Sequence, residues 1–151
     1  VRRALLPLIL VAAALGCGPH RIPGTELEDT GDTRAIIETI ARYNSSLEAR
    51  DASGILGLVD PSFHDNAGTL SPEDDIDLQK LRTVLPQRLA KLQDVAVRIE
   101  IKTIDVKGDR ANVVYTWVSQ FKLNGKSMTE SDIKRMELKR GADGWKILSG
   151  I

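Results

Sequence analysis

The chain has 151 residues, 42% of them apolar and 28% charged, which is room for one globular domain with its own core. Its 21 basic and 21 acidic side chains balance, and removing Arg2 and Arg3 with a leader leaves a small acidic excess. No basic surplus exists to neutralise a phosphate backbone, so nucleic-acid binding lacks its main driving force.

The first element is Val1-Arg2-Arg3 followed by an uncharged apolar run over residues 4–15. That run falls short of the ~20 residues a spanning helix needs. It has the length of the apolar core of an export signal. Ala14-Leu15-Gly16-Cys17 follows and resembles the lipobox of bacterial lipoproteins, with Ala14 and Leu15 transposed from the usual order. The resemblance implies a diacylglycerol thioether on Cys17, cleavage before it, and attachment of the protein to a bilayer in the bacterial cell envelope. Cys17 is the single cysteine, and a free thiol in an exported protein is otherwise unusual. Residues 1–16 are therefore expected to be a signal peptide. Residues 17–31, rich in Gly, Pro and acidic side chains, are expected to be the lipidated cysteine and a flexible tether. Residues 32–151 form the expected domain.

Asp32 or Thr33 is placed to cap a helix beginning near Arg34, with Ile36, Ile37, Ile40, Ala41, Tyr43, Asn44 and Leu47 at helical spacing. Asp51 is the expected cap of a short helix ended by Asp60-Pro61. A polar loop follows Phe63. Ser71-Pro72-Glu73-Asp74 reads as the start of a third helix, which Pro86 should kink or divide. From Val95 the period changes to two, giving an antiparallel meander of four strands. A bulge is expected at Thr103, where the apolar phase slips. Asn124-Gly125 is a hairpin turn. The next strand also changes phase, between Ile133 and Met136. Helices followed by strands read as α+β, with the helices packed on a strongly curved antiparallel sheet.

This order resembles the nuclear transport factor 2-like superfamily and its SnoaL-like, cystatin-like members. The matching stretches are the amphipathic helix over 34–50, Leu47-Glu48-Ala49-Arg50-Asp51, Val59-Asp60-Pro61-Ser62-Phe63, and the ending Gly144-Trp145-Lys146-Ile147-Leu148-Ser149-Gly150. The resemblance implies a cone with a pocket at its mouth, able to hold a small apolar ligand or to host isomerase or dehydratase chemistry. It also implies dimerisation through the sheet.

His64-Asp65 is the candidate acid–base pair, since a histidine beside a carboxylate can move a proton near neutral pH. Adjacent residues need not face one another, and a loop histidine is commonly solvated. Tyr43, Asn44, Tyr115, Trp117, Phe121 and Trp145 are candidate pocket-lining residues, with core packing the competing reading. Two histidines, His20 and His64, give no spaced ligand cluster, so no metal is expected. No cofactor motif appears. The reading that fits best is a membrane-tethered, non-catalytic ligand-binding or assembly module. A pocket enzyme acting on a small lipophilic molecule and a sheet-mediated homodimer are the alternatives.

Overall fold

The computed structural model describes residues 20–66 and 71–151. The expected signal peptide and Cys17 lie outside the described residues. Within them no helix is long and apolar enough to cross a membrane.

From His20 on, the stretch expected to be free tether is held in a turn. Ile22 N–H donates to Leu27 O and Asp29 N–H to His20 O, and Leu27 is buried. Helix α1 (Gly31–Glu48) begins one turn earlier than expected. Its cap is Thr30, whose hydroxyl accepts from Thr33 N–H at 3.0 Å. Asp32 instead sits in the first turn, where an acid suits the positive end of the helix. Thr33, Ile36, Thr39, Ile40 and Tyr43 form the buried stripe, while Ala41 is exposed. Helix α2 (Ala52–Leu56) is capped by Asp51, as expected. Beyond it Ile147 N–H donates to Leu58 O and Asp60 N–H to Ile147 O, a parallel bridge that ties this segment to the sheet.

The next segment departs from expectation. His64–Asp65 forms a two-residue strand β1, paired antiparallel with β2 (Ile76–Asp77). Helix α3 (Leu78–Ala90) therefore starts after residues 71–75 rather than at them. Two local forces explain the shift. Asp77 accepts from Lys80 N–H at 2.7 Å and caps α3. The Lys80 ammonium donates to the carbonyls of Glu73 and Asp75, holding them in a non-helical turn. Pro86 neither ends nor divides α3, which runs unbroken through it. Pro86 is exposed, and it removes a single helical N–H.

Strands β3 (Leu92–Lys107), β4 (Arg110–Leu123), β5 (Lys126–Gly141) and β6 (Gly144–Ser149) make one antiparallel sheet in chain order. The expected bulge is present, as a register shift between Ile101 and Thr103. A second lies between Gln93 and Ala96. Asn124 and Gly125 both have positive φ, +52° and +76°, which suits the tight turn between twisted strands. The expected phase change in β5 is absent: its ladder with β4 is regular from Lys126 to Lys139. Ile133 sits on the outer face of the sheet and is 71% exposed, whereas Met136 and Leu138 face inward and are fully buried.

The inner face carries Val97 on β3, Ala111, Val113, Tyr115 and Trp117 on β4, Met136 and Leu138 on β5, and Trp145 and Ile147 on β6. These close over Ile36, Ile40 and Tyr43 of α1, with Ile55, Phe63, Leu81 and Leu89 completing the core. The result is the expected α+β cone.

Candidate functional site

The site is built where β1, β4, β5 and residues 149–151 meet. Gly150 is its centre. Its N–H donates to Asp65 Oδ2 at 2.6 Å, and its carbonyl accepts from the Tyr115 hydroxyl at 3.1 Å. Three separate elements are thus fastened through one backbone unit. Gly150 lies at φ +92°, and a Cβ there would stand 2.1 Å from Arg135 O. Only glycine meets both demands. Beside this node opens a groove of about 540 Å³, lined by Asp65, Asn66, Lys134, Arg135, Ser149 and Gly150 among others. Its size falls in the range of small-molecule sites, but its walls are mixed and charged where such sites are mostly apolar.

His64 and Asp65 do not act on one another. Consecutive strand residues point to opposite faces, and each takes a different partner. The exposed His64 places Nε2 3.1 Å from Asp75 Oδ2, while Asp65 turns in to Gly150. The pair expected from sequence is therefore split between the surface and the groove.

The aromatic candidates mostly serve the core. Tyr43, Tyr115, Trp117 and Trp145 are all buried within it. Burial is the main cause that raises the Tyr43 phenol above its ordinary range, with Tyr115 and Asp65 adding to it. Burial, then the Asp65 carboxylate, pushes Tyr115 up to about 12. Both phenols stay protonated near neutral pH, and Tyr115 spends its proton on Gly150. Trp117 donates to Ser119 Oγ at 3.0 Å, and the Lys134 ammonium lies 4.6 Å from its ring centroid. Trp145 donates to Asp32 Oδ1 at 3.3 Å, with the Arg140 guanidinium 4.8 Å from its ring centroid. Phe121 is half-buried near the far end of β4, directly opposite Met128. Asn44 is half-buried, with its Oδ1 enclosed and unpartnered among the described residues.

Sequence reasoning did not find Gly150, Lys134 or Asp75. For Lys134 a signal existed: it shares the inward parity of Met136 and Leu138, two and four residues on. Among the described residues, no three His, Cys, Asp or Glu side chains gather to hold a metal.

No protein-family model matches the chain, and no curated protein matches it. Solved structures do. A proposed aromatic ring hydroxylase from Novosphingobium aromaticivorans superposes with a TM-score of 0.69 at 16% identity, covering 79% of this chain and 85% of the other. A proposed dehydratase of the NTF2-like family from Streptomyces avermitilis gives 0.66 at 15%, covering 79% and 93%. An NTF2-like superfamily protein from Salmonella enterica gives 0.66 at 17%, covering 78% and 86%. Identity this low speaks for architecture and not for activity. Together with the helices packed on a curved antiparallel sheet, these likenesses establish that the chain adopts the nuclear transport factor 2-like α+β cone.

Proposed function

We propose that this protein is a lipid-tethered component of the bacterial envelope whose cone domain is a non-catalytic ligand-binding or assembly module. One observation carries the non-catalytic part. The carboxylate and phenol best placed for chemistry, Asp65 and Tyr115, are both bonded to the Gly150 backbone. A general acid or base must reach the proton it moves, and these two groups are engaged in holding the chain's end in place. The histidine that could have shared the work faces Asp75 at the surface. The tether rests on the apolar run over 4–15 and on Gly16-Cys17.

A second reading keeps one specific support. Asp65 and Lys134 line the same groove of about 540 Å³, a carboxylate and an ammonium together in a space of small-molecule size. A pocket enzyme would use that groove.

Two measurements on the full chain test the proposal. Cells fed radiolabelled palmitate should label the wild-type protein and leave Cys17→Ala unlabelled. Label retained by Cys17→Ala overturns the tether. Native mass spectrometry of protein purified from host membranes should show the apo mass, or the mass with one unchanged small molecule. A bound molecule that turns over on incubation, and persists unaltered with Asp65→Asn, would make the enzyme reading correct.

A further inference from the structure

The turn from His20 to Asp29 is fastened to the cone immediately after Cys17. Ile22 N–H donates to Leu27 O at 2.9 Å, and Asp29 N–H to His20 O at 2.6 Å. Thr25 closes the tip, its N–H and its hydroxyl both donating to Ile22 O. Buried Leu27 pins the second arm. Arg34 of α1 grips the Asp29 carboxylate twice, Nε to Oδ1 at 2.5 Å and Nη2 to Oδ2 at 2.7 Å. Only Gly18 and Pro19 separate Cys17 from this turn. That link reaches at most about 11 Å when fully extended. The turn lies at the end of the cone where α1 begins. Arg140 ties the β3–β4 turn to the same end, donating its side chain to Asp32 and its N–H to Asp109 O. The Asn124-Gly125 hairpin is at the other end, a distance on the order of 40 Å along the 14 residues of β4.

Beside the turn lies a groove of about 260 Å³ lined by Ile22, Pro23, Asp29, Arg34 and Ile37. Its apolar members are the exposed Pro23 and the half-buried Ile22 and Ile37. Its charged members neutralise one another asymmetrically: the Asp29 side chain is 7% exposed, under an Arg34 side chain that is 71% exposed. The carboxylate is therefore covered and the guanidinium faces outward. Apolar side chains beside an outward cation suit a lipid surface. There the apolar groups enter the acyl boundary while a long basic side chain keeps its head among the phosphates. We infer that this groove seats on the bilayer that carries the lipid of Cys17. The cone then stands with its 20–29 turn against the membrane and its Asn124-Gly125 hairpin outermost. The inference rests on the lipid-anchor reading of Cys17 and adds a fixed orientation to it. A groove this small needs little affinity of its own. So short a link makes the docking intramolecular, at an effective concentration on the order of millimolar.

The test uses the lipidated protein purified from host membranes and placed in vesicles of phosphatidylethanolamine and phosphatidylglycerol with brominated acyl chains. Such chains quench a fluorophore that lies near the acyl boundary. Lipid occupies the Cys17 thiol, so one added cysteine takes the fluorophore. A label on Pro23→Cys should be quenched, and a label on Lys126→Cys, at the far hairpin, should not. Adding Ile37→Gln to Pro23→Cys should remove most of the quenching, with circular dichroism showing that the fold is kept. Equal quenching at the two positions overturns the inference. So does quenching at Pro23→Cys that Ile37→Gln leaves unchanged, because the short link alone would then account for it. Absence of quenching at Pro23→Cys, in protein that takes up palmitate label and floats with the vesicles, overturns the docking and leaves the anchor standing. Protein that takes up no label and stays behind when the vesicles float overturns the anchor, and the docking with it.

Discussion

The two halves of β5 belong to one strand and obey different physics. Over its second half, Met136 and Leu138 are fully buried, with β6 alongside and the core above. Over 126–133 the same backbone continues in regular register with β4, yet no side chain is buried. The hydrogen-bonded ladder does not distinguish the halves; the layer lying over one of them does. A strand's alternation is enforced only where a second layer removes one face from water. Beyond that layer Met128 and Ile133 occupy opposite faces, and a phase read from them describes no core.

That contrast can be broken or sharpened by substitution. The largest effect is expected at the covered end. Leu138→Ala should cost about 2–5 kcal/mol, by lost burial and the cavity left behind, measured by denaturant unfolding. Gly150→Ala comes next. Its Cβ would strike Arg135 O and its φ is positive, so the chain's end must shift at a cost of about 1–3 kcal/mol. Ile133→Thr, on the open end of the same strand, should stay within about 0.5 kcal/mol. A large loss there would mean that the outer face is covered.

A pH comparison probes the far side of the cone. The Arg140 hydrogen bond is the chief cause that holds the Asp32 carboxyl below its ordinary range. Partial burial opposes it, and the Trp145 hydrogen bond adds to it. A depressed carboxyl contributes stability above its unfolded pKa, near 3.9, and loses it as pH falls through the folded value. Asp32→Asn should therefore melt below the wild type at neutral pH, with the gap closing as pH falls below the ordinary carboxylate range. This is a small effect, because solvent reaches and screens the partly exposed pair.

The cone was legible in the sequence because its signals are periodic. The stripe from Ile36 to Tyr43, the alternation from Val95 onward and Asn124-Gly125 each bind the backbone locally to one state. The bulge near Thr103 was legible for the same reason, since a slip in the apolar phase is a one-residue insertion seen from the side chains. Where several side chains compete for one backbone group, the outcome was less legible, although the Asp51 cap of α2 was read correctly. Thr30 rather than Asp32 caps α1, and Lys80 holds residues 73–75 out of helix, because these outcomes turn on which oxygen or ammonium reaches the backbone group. The groove was least legible of all. Gly150 lies 85 residues from Asp65 and 35 from Tyr115, and no spacing in the sequence announces a junction of three elements. His64-Asp65 drew notice through adjacency, but a strand separates adjacent residues by turning them to opposite faces.

The claim that most of the functional reading rests on is that Asp65 fastens the chain's end. The direct test is the unfolding free energy of Asp65→Asn beside its amide exchange at Gly150. A fastener predicts a loss of about 1–3 kcal/mol and faster exchange of the Gly150 N–H. Unchanged stability and unchanged exchange, with a bound molecule lost or left unconverted, would contradict it and return Asp65 to chemistry.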